Sequence, residues 1–382
     1  MSFIKNRINR FAIYGVLLYF TALLSACTRN GTYATLDFHD AQYIVSLSKT
    51  YENKSLLIVV GKGGTVNQTV CYEGQGINSI TFRENDLYLH SSRENRHFIL
   101  NGQGEWQSFS LAKNDVEGSE NAPSWFAANG EHSLIETMNI GFVDNHYESA
   151  VLYTENGQKK NVIIEDLCLE NAVEHDGEIY VNSSDYAGEK GNVICVIDKQ
   201  TGIYNMVRFP HGNTPASGRL VLANDKIITY GSNAAYLIAS GDDKFCCTLG
   251  MLDTKTHETK EIDYSDDAII LLYTFHNQIF VVTEKGNLHI YTDELSLTDT
   301  RNLNHTELLE AYSSSELIPH LKIIETDDIL SMLFIRSELD PHNIGFIQEY
   351  RKTDLQPVRK IDLFLSGTDE WIGENIDFVL LP

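Results

Sequence analysis

Four consecutive runs decide the fold: NAVEH (residues 171–175), EIYVN (178–182), NVICVID (192–198) and IYNMVRF (203–209). The turn KQTG (199–202) precedes the last of them. Each run is short, apolar and rich in β-branched or aromatic residues, and polar or glycine-containing segments separate the runs. Such a pattern predicts four consecutive strands joined by turns. We therefore expect one antiparallel unit, whose first strand is the inner one and whose last strand is the outer one.

The same alternation of turns and apolar runs recurs along most of the chain. A turn residue of the Asp, Asn or Gly type is followed closely by an apolar, β-prone run, and successive turn residues are 46, 44, 47, 48, 52 and 51 positions apart. This spacing is the length that a four-stranded propeller blade needs. It predicts an all-β protein of seven four-stranded blades, with six or eight blades as alternatives. The turn residues are Asp40, Asp86, Gly130, Gly177, Asp225, Asn277 and Asp328.

The segment Ile179–Asn182, followed by Val193–Asp198 and Thr201-Gly202, resembles the YVTN-type repeat of bacterial β-propellers, a WD40-like architecture. Looser copies follow later in the chain. The resemblance implies that each repeat is one blade, and it implies no particular function, because one fold hosts many functions.

Ring closure is predicted from the two ends of the repeat region. Tyr33–His39 and Asn375–Leu381 both have the pattern of an inner strand, although seven turn signals require only seven inner strands. We expect the C-terminal run Ile376–Leu380 to join the N-terminal blade. Two insertions interrupt the repeat: Asn302–His320, which contains a short helix-forming segment, and the long loop Ser232–Lys244.

The N-terminus has the pattern of an export signal. Three basic residues precede the apolar segment Phe11–Leu24, which is short for a permanent membrane helix. Leu24-Ser25-Ala26-Cys27 resembles the lipobox of bacterial lipoproteins. The resemblance implies cleavage before Cys27 and acylation of that cysteine, with palmitate-like chains that hold the protein on the extracytoplasmic side of a cell membrane. An ordinary signal peptide and an uncleaved anchor are the alternatives.

Three regions follow from these patterns: a signal peptide (1–26), a lipidated tether (27–32) and one propeller domain (33–382). The chain has 29 Lys plus Arg against 53 Asp plus Glu, a net charge of −24, and loss of the signal removes three further positive charges. Because phosphate backbones would be repelled, we expect no nucleic-acid partner. A solvated acidic surface explains the charge, and recognition of a cationic partner is the alternative.

No catalytic or cofactor motif is recognisable. The sequence has no Gly-x-Ser-x-Gly, phosphate-binding Gly-rich loop, His-Glu-x-x-His or Cys-x-x-Cys, and its three Trp residues do not form the docking pattern of quinoprotein propellers. We therefore expect no cofactor and no zinc site. The cysteines beyond Cys27 are interpreted mainly as buried residues of apolar strands, with Cys195 as the example.

Binding residues of propellers usually lie on the loops that ring one mouth of the channel. The candidates on such loops are His211, Arg93, His320 and Trp371. Trp371 is interpreted as an aromatic packing under the closing strand or as a stacking platform for a ring-shaped ligand. A metal site needs at least three converging ligands, which a sequence cannot show, so we assign none.

These observations predict a membrane-anchored, extracytoplasmic binding scaffold for a protein or a glycan ligand rather than an enzyme. The alternative is a metal-assisted lyase or hydrolase with its site at the channel mouth.

Overall fold

The computed structural model describes residues 36–110, 124–185, 192–209, 219–231, 248–264, 266–303, 307–314, 316–340, 343–365 and 374–382. The predicted signal peptide and tether, the lipidation site Cys27, the candidates His211 and Trp371, and the loop Ser232–Lys244 lie outside these residues.

The described residues form seven antiparallel sheets of four strands each, arranged as the blades of a β-propeller. Blade 1 contains, from the channel outward, β28, β1, β2 and β3; blades 2 to 7 take the remaining strands four at a time in chain order. The predicted all-β fold and the count of seven blades are confirmed. The strands of blades 1 to 3 are β1 (Ala41–Ser48), β2 (Ser55–Gly61), β3 (Val66–Tyr72), β4 (Ile77–Arg83), β5 (Asp86–Ser91), β6 (His97–Leu100), β7 (Trp106–Phe109), β8 (Ser124–Asn129), β9 (Leu134–Val143), β10 (His146–Glu155), β11 (Gln158–Glu165) and β28 (Asn375–Leu380).

Blades 4 to 7 follow the same plan. Their strands are β12 (Leu167–His175), β13 (Glu178–Asp185), β14 (Asn192–Asp198), β15 (Tyr204–Arg208), β16 (Val221–Ala223), β17 (Lys226–Gly231), β18 (Thr248–Asp253), β19 (Thr259–Asp263), β20 (Ile269–Phe275), β21 (Gln278–Thr283), β22 (Asn287–Tyr291), β23 (Leu297–Asn302), β24 (Leu317–Glu325), β25 (Ile329–Asp340), β26 (Asn343–Arg351) and β27 (Pro357–Phe364).

The recurrent turn residues explain where the second strands begin. Asp176 and Gly177 have positive φ angles of 49° and 81°, and β13 starts at the next residue. His276 and Asn277 have the same left-handed conformation before β21. Tight hairpins need such angles, which Gly, Asn and Asp adopt at the lowest steric cost. The turn chemistry in the sequence therefore sets the start of these strands.

Apolar side chains between neighbouring blades form the core. Six of the seven seams hold a cluster of buried hydrophobic residues drawn from both blades. In the seam between blades 3 and 4, the thiol of Cys195 is buried, and burial raises its pKa to about 12. The predicted role of this cysteine as a core residue is confirmed.

The chain closes the ring with its last strand. Asn375–Leu380 pairs antiparallel with Tyr43–Ser48, so β28 is the inner strand of blade 1, as predicted. The expectation that Tyr33–His39 also has strand structure is wrong for its described part, because residues 36–39 form no strand. Their place in the sheet is taken by β28.

A side chain of one neighbouring blade and the backbone of the other hold the closing strand. The ammonium of Lys322 on β24 donates to the carboxylate of Asp377 (2.9 Å) and to the carbonyl of Ile80 on β4 (2.7 Å). The same Asp377 oxygen accepts the backbone N–H of Ile80 (2.7 Å). Since Asp377 is 3% exposed, this charge is buried and paired, and it joins blades 7, 1 and 2 at the inner strands.

The insertion before blade 7 contains the predicted short helix, α1 (Glu307–Ser313). After α1 the chain enters β24 at Leu317, so His320 lies within an inner strand and not on a rim loop as expected. In the described part of the chain, no helix has the length and apolar character needed to span a bilayer.

Closure by β28 is testable through Phe378, which is fully buried in the seam between blades 7 and 1. Phe378→Ala should lower the free energy of unfolding by about 3–5 kcal/mol, the usual cost of deleting a buried phenyl ring. Phe364→Ala is the matched control because Phe364 is 53% exposed. Urea titration measures both, and removal of residues 375–382 should lower the melting temperature sharply. An unchanged melt after this deletion would contradict closure.

Candidate functional site

The loops that join second to third strands, together with those that join one blade's outer strand to the next inner strand, form one face of the ring, here called the rim face. Arg93 lies on this face, in the loop between β5 and β6, and its side chain is exposed. Its guanidinium carbon is 5.2 Å from the ring centroid of Tyr51, which lies in the corresponding loop of blade 1 and is 78% exposed. A cation over an aromatic ring at this distance is attracted by the ring's electrons.

The backbone around Arg93 holds it in place. The hydroxyl of Ser91 accepts the N–H groups of Arg93 and Glu94, both at 3.0 Å, which bends the chain directly after β5. Gly76 lies beneath the arginine with a φ of 58°, and a Cβ atom there would come within 2.5 Å of the Arg93 Cγ. Gly76 therefore provides both the turn and the space for the arginine side chain.

An acidic group completes this patch. Glu374, just before the closing strand, accepts the backbone N–H of Thr50 through Oε2 (2.9 Å). Hydrogen bonds from Thr50, followed by the charges of Lys49 and Arg93, lower the pKa of Glu374. We call Tyr51, Arg93 and Glu374 the rim patch. It presents an exposed ring, a guanidinium and a carboxylate from two neighbouring blades.

The sequence identified Arg93 but missed its two companions. Tyr51 is an aromatic residue in a polar loop between two apolar runs, and this loop occupies the same position in blade 1 as the Arg93 loop in blade 2. Comparing equivalent loops of the repeat would have found it. Glu374 is 324 positions from Thr50, so only ring closure brings the two residues together.

His320 occupies a different environment from Arg93. Its Nε2 donates to the carbonyl of Ile376 (2.7 Å), and its Nδ1 accepts the N–H of Lys322 (3.0 Å). Burial lowers the pKa of His320. Both ring nitrogens are therefore occupied by the backbone of β24 and the closing strand, so the rim patch is built without this residue.

The opposite face of the ring contains the one set of three potential metal ligands among the described residues. Nε2 of His175 is 3.2 Å from Asp225 Oδ1 and 3.5 Å from Asp176 Oδ2, and Nδ1 is 3.7 Å from Glu131 Oε1. An imidazole with carboxylates could hold a divalent ion. Lys255 also pairs with Asp225, so the set is partly neutralised as an ion-pair network.

One carboxyl group on an inner strand has a strongly shifted pKa. Glu170 lies on β12 at a bulge between Leu169 and Ala172. Burial raises the pKa of Glu170 from 4.5 to about 8. Such shifts occur at functional sites and also at purely structural ones.

No protein-family model matches the chain, and no curated protein matches it in sequence. Among solved structures, the chain is similar to an apocarotenoid oxygenase mutant from Synechocystis (TM-score 0.52, 7% identity, 94% of this chain and 98% of that one). It is also similar to a putative 6-phosphogluconolactonase from Bacteroides uniformis (0.50, 8%, 89% and 100%). A third similar structure is apo AztD from Citrobacter koseri (0.46, 11%, 89% and 98%). Similarities at this level of identity show the propeller fold alone.

The raised pKa of Glu170 predicts a pH-dependent stability. The folded protein keeps the proton up to about pH 8, whereas an ordinary Glu releases it near pH 4.5. The stabilisation is therefore present below about pH 4.5 and is lost as pH rises through 8. Glu170→Gln should melt like the parent at pH 4.5 and at a higher temperature at pH 9.

Glu165→Gln makes the same change of charge on the outer strand β11, where Glu165 is exposed, and serves as the control. Thermal unfolding followed by circular dichroism at both pH values compares the three proteins. Parallel pH profiles for the parent and Glu170→Gln would contradict the assignment.

Proposed function

We propose that the protein is a lipid-anchored, extracytoplasmic binding scaffold that recognises a protein partner through the rim patch. The exposed stacking of Arg93 on Tyr51 supports this proposal most directly. Tyrosine and arginine are enriched among the residues that contribute most to protein interfaces. A tyrosine also offers a large contact area with few rotatable bonds to immobilise.

The geometry favours a protein over a glycan. Sugar rings stack on an open aromatic face, and Arg93 lies over one face of Tyr51. A patch that carries both the Arg93 guanidinium and the Glu374 carboxylate suits a partner that presents both a carboxylate and hydrogen-bond donors, as a polypeptide surface does. Glycan recognition is the other outcome that the experiment below can give.

The anchor and the rim patch lie at opposite ends of the molecule in this proposal. Residues 36–40 precede β1, which starts at the face away from the rim, and the N–H of Lys62 at the end of β2 donates to the carbonyl of Asp40 (3.0 Å). A tether running from Cys27 to residue 35 would extend at most about 30 Å. An acylated Cys27 would hold the face opposite the rim toward the membrane and leave the rim patch accessible.

Membrane attachment predicts a specific modification. In the native host, Cys27→Ala should lose the acyl anchor and move out of the membrane fraction, because alanine has no thiol to carry the acyl chains. Mass spectrometry of the parent should find a mature N-terminus at Cys27 with an added diacylglyceryl group. Thr28→Ala, next to the site, should remain in the membrane. An uncleaved and unmodified N-terminus in the parent would refute the anchor.

The rim patch predicts how binding should depend on sequence. In capture from solubilised envelopes, Tyr51→Ala and Arg93→Ala should each lower partner affinity about 30-fold or more, as expected for residues that contribute about 2 kcal/mol. Arg208→Ala removes an exposed arginine from the outer strand β15 and should bind like the parent. Binding to a glycan array together with no patch-dependent protein capture would favour a glycan ligand. Equal capture by all variants would refute the patch.

The alternative is a metal-assisted lyase or hydrolase, whose site the sequence predicts at the channel mouth on the rim. Among the described residues, the set that could hold a metal is instead the His175 set at the opposite face. Metal-assisted chemistry needs an open coordination position beside the protein ligands. The pairing of Lys255 with Asp225 competes for one ligand of that set. A stoichiometric divalent ion in the purified protein would favour this alternative.

A further inference from the structure

The seam between blades 2 and 3 differs from the other six. Among residues whose side chains the structure describes, its buried apolar cluster contains only Met138, Ala150 and Leu152, all from blade 3. Each of the other seams holds a larger cluster drawn from both blades. Among the side chains that the structure describes, apolar burial is therefore smaller here than in the other six seams.

Polar aromatic rings occupy the blade 2 side of this seam. His90 and His97 are both 0% exposed, and their ring centroids are 5.4 Å apart, with Phe109 within 6 Å of each. Nδ1 of His97 accepts the N–H of Ser91 (3.0 Å), which leaves the proton on Nε2. Burial, followed by the charge of His90, lowers the pKa of His97 well below its ordinary value.

The two blades meet at a buried histidine and a carboxylate. Nε2 of His90 lies 2.6 Å from Oε1 of Glu136 on β9, whose side chain is 14% exposed. Nδ1 of His90 has no hydrogen-bond partner among the described residues. The contact with His90 fixes the position of Glu136 Oε1, and part of the carboxylate remains exposed to solvent.

The exposed part of this carboxylate faces a cleft of about 820 Å³. Tyr88, Ile99, Phe109 and Leu152 provide apolar and aromatic walls, and the turn 200–202 of blade 4 closes one side. Its charged lining residues are Glu136, Lys159 and Lys160, and Lys160 already donates to the carbonyls of Lys199 and Gln200 (both 2.8 Å). Ligand pockets typically have volumes of roughly 300–1,000 Å³, with apolar walls and a few polar groups that fix orientation. Burial, followed by the negative charges of Asp86, Glu84 and Glu136, raises the pKa of the Tyr88 hydroxyl, which therefore stays protonated.

The sheet register sets the spacing of the two charges. Glu136 and Asn161 both pair with Leu152 on β10, and Lys159 lies two residues before Asn161 on β11. Two strand spacings across and two residues along separate the Cα atoms of Glu136 and Lys159 by about 12 Å. Because strand side chains stand roughly perpendicular to the sheet, their charged ends lie about as far apart as the Cα atoms. An extended chain of two or three residues, about 7–10 Å long, spans this distance once a hydrogen bond is added at each end.

We propose that the cleft between blades 2 and 3 binds a short apolar peptide, two or three residues long, with its terminal amine at Glu136 and its terminal carboxylate at Lys159. Both peptide termini are charged at neutral pH, so the ammonium group would pair with the Glu136 carboxylate and the carboxylate with the Lys159 ammonium. The aromatic and aliphatic walls take the apolar side chains. This site is separate from the rim patch, and the inference does not rest on the proposed function.

The test uses the full-length protein purified in detergent solution and the tripeptide leucyl-phenylalanyl-leucine, with N-acetylated and C-amidated counterparts. Calorimetry should show saturable binding of the free tripeptide and about 10-fold weaker binding of each blocked form, the effect of losing one charge-assisted hydrogen bond. Glu136→Gln should weaken the free peptide about 10-fold and leave the acetylated one unchanged. Lys159→Met should weaken binding of the free peptide about 10-fold, because its carboxylate loses the ammonium partner, and should leave binding of the amidated peptide unchanged.

Two controls keep the result interpretable. Thr154→Trp fills the cleft from an exposed lining position and should abolish binding with an unchanged melting temperature. Arg208→Ala, which lies on β15 and does not line the cleft, should bind all three peptides like the parent. Absence of saturable binding by the parent, or equal affinity for free and blocked peptides, would overturn the proposal.

Discussion

Pairing of the last strand with the first described one is the constraint on which the rest of the structure depends. A single four-stranded sheet cannot cover both of its faces, but in a closed ring every blade packs against two neighbours. Strand β28 completes blade 1 from the inside, and Lys322 and Ile80 hold its Asp377 from the flanking blades. The closure therefore consists of a backbone ladder reinforced by a buried, fully paired charge.

Closure also explains how one seam can differ from the others. In an open array, a seam with little apolar contact would be a point of separation, whereas in a ring the two blades are held together by the path through the other five. Burying His90 and His97 costs free energy, because two of their ring nitrogens lack partners among the described residues. Among the described residues, the larger apolar clusters of the other six seams offset this cost.

The fold could be predicted because its determinants are local. Turn residues such as Gly177 and Asn277 adopt left-handed angles before the second strands of blades 4 and 6. Turn residues of the Asp, Asn or Gly type recur once per blade in the sequence. Alternating apolar runs after each turn then give the second strands. The closing strand was predictable by counting, since seven turns need seven inner strands. A strand was wrongly predicted over the described part of Tyr33–His39, because an apolar run indicates β propensity but not the availability of a partner strand.

The candidate sites could not be predicted in the same way, because they depend on residues far apart in the chain. Tyr51 meets Arg93 only because equivalent loops of neighbouring blades lie side by side, and Glu136 meets His90 across a seam, 46 positions away. In a repeat protein such contacts are regular, because a residue at one position in a blade faces a defined position in the next blade. Comparing blades position by position therefore converts a sequence with a known blade count into a map of seam contacts. On that map a buried histidine opposite a glutamate marks, among the described residues, the seam with the smallest apolar cluster.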